Sequence, residues 1–320
     1  CYTVSLGNEE TLSCKVIKTT TIKKYLQAAA SWATAQQHLD PRKTFTGTTA
    51  QIITKVLREQ QRWERMPNRR EPLTVEMLDN IHSQASIDLD CLANAMADWA
   101  SVGFLAGLRK CEWAQDQREL GEGGFKHAPD GSPLAFIASD FTFFQADHSP
   151  MPWTSISSTN LPARVRITWR HQKNGDNGQA IDYFKDDLCP ILCGVRATVR
   201  IRQRAIRLDI SPNCPLGIFK QRNTVSFIRT KHIEGTLQSA ARTVHHITSK
   251  QDLQRFTAHS LRVGACVALH SANCSETDIK FRLCWRSNAF MEYLRNVPAI
   301  ARRQAHALHQ IAVNFQTSAS

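Results

Sequence analysis

Apolar residues recur at three- and four-residue spacing over Thr20–Thr34 (Ile22, Tyr25, Leu26, Ala29) and over Thr48–Arg65 (Ile52, Ile53, Val56, Leu57, Trp63). That period predicts two amphipathic helices, with Asp40, Pro41 and Gly47 marking the turn between them. Met66–Pro72 carries two prolines and little apolar content, so it reads as a linker between residues 1–70 and 71–320. Beyond it a helix opens at Leu73–Thr74. A long helix is then predicted over Ile87–Leu108, with Leu89, Leu92, Met96, Trp99 and Phe104 on its buried side.

The pattern then shortens to β-rich runs at Leu134–Phe144, Val165–His171 and Gln179–Phe184. The turn Asn174-Gly175-Asp176-Asn177-Gly178 joins the last two as a hairpin. After Pro190 the helical period returns, broken only by Val225–Ile228. Ser275-Glu276-Thr277-Asp278 reads as a capping box opening a helix toward Cys284 and Trp285. Ser287 is expected to cap a short helix carrying Tyr293, and a final helix is predicted over Pro298–Phe315. The expected fold is mainly α with a small antiparallel β-sheet (α+β), in two domains.

Composition narrows the function. The chain has 320 residues, 42% hydrophobic and 21% charged, an ordinary balance for a globular protein with a sizeable core. No apolar run approaches the roughly 20 residues that span a bilayer, and the first residues lack a signal pattern. Gly121-x-Gly123-Gly124 has neither a preceding strand nor a following Gly-Lys-Ser/Thr, which excludes a phosphate loop. The ten cysteines include no Cys-x-x-Cys pair, so they are expected to be reduced thiols of an intracellular protein. Cys189, Cys193, His245 and His246 fit no usual structural zinc spacing, and neither a metal nor a cofactor is expected.

Charge is unevenly distributed. Residues 1–200 hold 23 Lys and Arg against 22 Asp and Glu, whereas residues 201–320 hold 17 against 6. Such a basic segment suits a phosphate backbone, through counterion release.

That segment also holds the most suggestive residues: His259-Ser260-Leu261-Arg262, then Trp285, then Tyr293-Leu294-Arg295-Asn296. Upstream, the apolar run Trp99–Leu108 ends in Arg109-Lys110-Cys111-Glu112, and Lys173 sits on the predicted hairpin turn. Cleaving a phosphodiester with a side chain requires an attacking oxygen, positive charge on the non-bridging oxygens, and a proton for the leaving oxygen. A phenol meets the first need, and guanidinium groups that bind phosphate through two parallel hydrogen bonds meet the second.

In the order Arg, Lys, His-x-x-Arg, Trp, Tyr, these residues resemble the tyrosine recombinases, or phage-integrase family. The wording around the last boxes is similar to eukaryotic mobile-element members of the crypton type. The resemblance implies a helical core-binding domain over residues 1–70 and a catalytic domain over 71–320. It implies double-stranded DNA as partner, a homo-tetramer on paired sites, no membrane, and a nuclear location in a eukaryotic host. It assigns Tyr293 as nucleophile, Arg109 and Arg262 as phosphate ligands, and His259 as the group that handles the phenol proton or hydrogen-bonds the phosphate. Lys173 becomes the acid for the 5′ oxygen, with Lys185 nearby as an alternative. Trp285 becomes a donor to a phosphate oxygen, and Glu112 a buttress orienting His259. Trp285 and Tyr293 are eight residues apart, one fewer than in many members. The Pro298–Phe315 helix would dock on a neighbouring subunit or pack on its own domain. A type IB topoisomerase uses a similar residue set, and a DNA-binding protein that has lost catalysis is the rival of a different class.

Overall fold

The computed structural model describes residues 17–64, 69–116, 126–157, 159–172, 175–285 and 288–294. The expectations for Lys173, Ser287 and the Pro298–Phe315 helix fall outside them. The chain divides into two compact units, Cys1–Asn68 and Arg69–Ser320.

In the smaller unit, α1 (Thr19–Ala35) and α2 (Gln51–Arg62) form over the two predicted stretches. Ile22, Ala30, Ala33 and Leu57 are buried, but Tyr25, Ile52 and Trp63, expected on apolar faces, are exposed. Two short helices enclose too little volume to cover every apolar residue they carry.

The larger unit is built on α4 (Leu92–Ala106), buried along most of its circumference. Around it pack α3 (Val75–Ser83), α5 (Gly194–Arg207) and α8 (His259–Ser271), and α6 (Thr230–His245) packs on α3. Thr74 caps α3 by accepting from the Met77 amide. The helix expected over Ile87–Leu108 begins five residues later, and Ile87 and Leu89 are exposed. Asn94 Oδ1 accepts from the Ser86 amide, Ser86 Oγ from Asp88, and Asp88 Oδ1 from Asp90. These local side-chain bonds compete with helical ones and fold the segment as turns.

The sheet is antiparallel in the order β1 (Phe141–Phe144), β2 (Arg164–Trp169), β3 (Gln179–Phe184). Phe141, Ile167 and Ile181 align across it, as do Phe143, Val165 and Tyr183, and all six are buried. The opposite face carries Arg166, ion-paired to Asp182 at 2.7 Å. The run expected from Leu134 reduces to four strand residues. Asp140 accepts from the Ile137 amide at 2.7 Å and turns the preceding residues into a 3-10 helix, Ala138–Asp140. A hairpin of β4 (Ile218–Gln221) and β5 (Thr224–Phe227) also forms, where only its second strand was expected. Its two-residue turn contains Arg222 at φ +56 without a glycine to signal it. After α6 come a single turn α7 (Lys250–Leu253), then α8, α9 (Glu276–Arg282) and α10 (Met291–Leu294). No helix among the described residues is long and apolar enough to cross a membrane.

Candidate active site

Three chain segments end where the candidate residues lie. The first is the start of α8, where Thr257 and Ser260 fold back on each other: the Thr257 amide donates to Ser260 Oγ at 3.0 Å and the Ser260 amide to the Thr257 carbonyl at 2.8 Å. His259 and Arg262 follow one helical turn apart. Leu261, Val263, Ala265 and Cys266 are buried and hold the helix in the core. At Gly264 the Leu73 carbonyl comes so close that an added Cβ would meet its oxygen at 2.3 Å. This glycine lets α8 lie directly against the segment 69–73.

The second is the end of α4. Gly107 stops the helix in the left-handed region at φ +58. Its carbonyl accepts from Arg262 Nη1 at 2.6 Å, while Nη2 donates to the Leu283 carbonyl, just past α9, at 2.9 Å. The Arg262 guanidinium is therefore held by two main-chain oxygens, with N–H groups left over for a ligand. Burial, then the Arg109 charge, lowers its pKa to about 10, so it stays cationic at neutral pH.

Two residues beyond Gly107, Arg109 opens a 3-10 turn, Lys110–Glu112. The Glu112 carboxylate accepts from the Arg109 amide at 2.7 Å and from its Nη1 at 3.1 Å. Glu112 thus braces Arg109, because the tight turn brings its carboxylate onto the residue three positions back. Burial raises the pKa of the Glu112 carboxyl above its ordinary value, and the Arg109 charge offsets only part of that rise.

The third segment is α10, which carries Tyr293. The phenol oxygen lies 2.7 Å from His259 Nε2, the two rings in an edge arrangement with centroids 5.3 Å apart. His259 is exposed as a residue. Yet lost hydration of its ring, and the like charges of Arg262, Arg70 and Arg109, push its pKa down to about 4. A neutral imidazole can accept the phenol proton. Burial raises the Tyr293 hydroxyl above its ordinary value, while Arg262 draws it down. Trp285 packs 5.6 Å from the Tyr293 ring and 5.7 Å from Phe290. Its face lies under the Arg262 guanidinium, 4.6 Å from the ring centre, a cation–π contact that steadies the arginine.

Arg109, His259 and Arg262 line a single cleft of about 470 Å³ together with Arg70, Lys110, Thr230, Glu234 and Thr257. The 153 positions that separate Arg109 from Arg262 are bridged through Gly107, whose carbonyl accepts from the Arg262 guanidinium. Lys173 lies outside the described residues. Its neighbour Gln172 is hydrogen-bonded to the thiol of Cys284, the residue before Trp285. Arg70 was not expected here, because composition assigned it to the linker; no motif spacing marks it. Among the described residues no cluster of His, Cys, Asp and Glu is arranged to hold a metal, and all described cysteines are free thiols.

No family model and no curated protein matches the chain. Among solved structures, the chain is similar to the XerH site-specific recombinase bound to palindromic difH substrate, a post-cleavage complex. There the TM-score is 0.49 at 12% identity over 90% of this chain, which spans 65% of the length of that one. It is also similar to a Tn1549 transposon integrase in complex with circular intermediate DNA, with a TM-score of 0.41 at 12% identity, over 91% of this chain and 81% of that one. A second Tn1549 integrase structure, bound to transposon right end DNA, gives 0.44 at 11% identity over 92% and 80%.

Proposed function

We propose that the chain is a tyrosine recombinase: a DNA strand-transferase that cleaves and rejoins strands through a covalent 3′-phosphotyrosine on Tyr293. The observation that carries this reading is the Tyr293 Oη to His259 Nε2 contact of 2.7 Å beside a cleft that Arg109 and Arg262 share.

The chemistry follows from that arrangement. His259 Nε2 takes the phenol proton as Oη attacks phosphorus. The bond from phosphorus to the 5′ oxygen breaks, and that oxygen receives a proton, a role the family resemblance gives to Lys173. Arg109 and Arg262 bind the non-bridging oxygens as negative charge grows on them. Such preorganised donors typically contribute on the order of 100- to 1000-fold each. Phosphodiester energy is retained in the phosphotyrosine, so the freed 5′ hydroxyl of the same or another strand can reverse the step without a nucleotide. Double-stranded DNA and a homo-tetramer on paired sites belong to this reading.

A suicide duplex, nicked so that the short fragment bearing the freed 5′ hydroxyl diffuses away, would test it. Wild type should accumulate a protein–DNA adduct resistant to denaturant, and Tyr293→Phe should form none while still binding DNA. Binding without any adduct from wild type would leave a protein that only binds DNA. Relaxation of a supercoiled plasmid lacking any special site would instead favour a type IB topoisomerase.

A further inference from the structure

The cleft contains one guanidinium that the chemistry above leaves without a task, that of Arg70. Its segment is fixed at several points. The Glu71 amide donates to the Arg255 carbonyl at 3.2 Å, Arg255 Nε donates to the Arg69 carbonyl at 3.1 Å, and the Leu73 amide donates to the Ser260 carbonyl at 2.9 Å. The Arg255 guanidinium also pairs with the Glu71 carboxylate. On the far side, Arg69 donates through Nη1 to the Glu292 carbonyl at 2.9 Å and through Nη2 to its carboxylate at 3.3 Å. The strap 69–73 is thereby tied both to the start of the His259 helix and to the residue before Tyr293.

Arg70 itself donates through Nη1 to the Gln254 carbonyl at 3.0 Å. That contact uses one of five N–H groups, and among the described residues no carboxylate pairs with it. Its neighbours Arg69 and Arg255 are both engaged by acids, whereas Arg70 lines the cleft with no carboxylate paired to it among the described residues. A cation held in place by its backbone loses little freedom when an anion arrives.

We propose that Arg70 is a further DNA-binding residue of this cleft, neutralising a backbone phosphate alongside Arg109 and Arg262. The inference rests on the strand-transfer reading for the identity of the ligand, but its test does not require chemistry. On a Tyr293→Phe background, Arg70→Ala, Arg70→Lys and Arg69→Ala are titrated with a random-sequence duplex by fluorescence anisotropy, between about 50 and about 200 mM salt. Losing one phosphate contact lowers the slope of log K against log salt by about 0.9, which makes the affinity drop across that range about 3.5-fold smaller. Arg70→Ala should show that loss and Arg70→Lys should keep the parent slope. Arg69→Ala should also keep it, because its guanidinium is occupied by Glu292.

A parent slope in Arg70→Ala, or an equal loss in Arg69→Ala, overturns the assignment, as does a failure of the Tyr293→Phe parent to bind duplex at all. A reduced slope with no adduct from the wild type upholds Arg70 while removing the recombinase reading. An adduct with an unchanged slope does the reverse. Circular dichroism of each variant separates a lost contact from a lost fold, and Arg70→Lys keeps the test decisive where alanine unfolds the strap.

Discussion

Gly107 is where the fold and the candidate chemistry depend on one atom being absent. Its backbone lies at φ +58, and an added Cβ would meet Leu283 Cδ2 at 2.7 Å. Gly107→Ala therefore carries two costs. The left-handed conformation disfavours a side chain by about 1–2 kcal/mol. Forcing a methyl into a packed contact costs about 1–3 kcal/mol more. The sum, about 2–5 kcal/mol, is a large part of the roughly 5–15 kcal/mol that holds a domain folded.

Gly131 supplies the control. It has φ +80 and nothing within 4 Å of a built Cβ, so Gly131→Ala should cost only the conformational part. Denaturant titrations of both variants, followed through the buried Trp99–Trp113 pair, should show Gly107→Ala less stable than Gly131→Ala by about 1–3 kcal/mol at unchanged m. Because the Gly107 carbonyl holds Arg262 and Leu283 stands beside it, adduct formation should also fall in Gly107→Ala, on the order of ten-fold, and not in Gly131→Ala. Equal stability losses in the two variants would refute the packing argument. An unchanged cleavage rate in Gly107→Ala would refute the link to Arg262.

Three further outcomes are expected. Glu112→Gln leaves Arg109 without its carboxylate, so cleavage should slow by roughly 10- to 100-fold with a much smaller effect on DNA binding; a parallel loss of both would point to general unfolding. The depressed pKa of His259 means the fold favours neutral imidazole: its contribution to stability is complete above the ordinary value of 6.5 and is lost as pH falls from there toward about 4. Ring NMR should find His259 in the free protein still neutral near pH 6, and a titration midpoint at or above 6.5 would contradict this. Inorganic phosphate should raise the thermal midpoint of the wild type more than that of Arg109→Ala or Arg262→Ala, since an anion that binds only the folded cleft stabilises it by mass action; equal shifts in all three would place the anion elsewhere.

Much of the fold was legible because local and tertiary preferences agree. The alternation in Val165–His171 and Gln179–Phe184 matches a sheet with one buried face, and Ser275 with Asp278 makes the capping box its spacing predicted. Where they disagree, the reading failed. Ile87 and Leu89 continue the apolar period of α4, but Ser86, Asp88 and Asn94 capture the backbone first. β4 went unnoticed because its turn places arginine, not glycine, in the left-handed region. The site divides in the same way. Arg109, His259, Arg262 and Tyr293 stand out by residue type and order, whereas Arg70 is visible only once 69–73 is seen lying against 254–260. The partner of Glu112 depends on a single turn of 3-10 helix, whose geometry no residue spacing reports.

The gathering of Arg70, Arg109, Lys110 and Arg262 at one cleft is an arrangement that folding alone disfavours, because like charges in a partly buried space repel. The structure offsets that repulsion unequally. Arg109 has a buried carboxylate, and Arg262 has two helix-end carbonyls and the face of an indole. Carbonyl dipoles and a ring quadrupole orient a guanidinium without cancelling its charge, whereas a carboxylate does both. Of the two arginines, Arg262 accordingly keeps the more uncompensated charge, and it is the one next to Tyr293 and His259. Growing negative charge on an attacked phosphate would meet its strongest complement beside the attacking oxygen, where a preorganised cation lowers the barrier most.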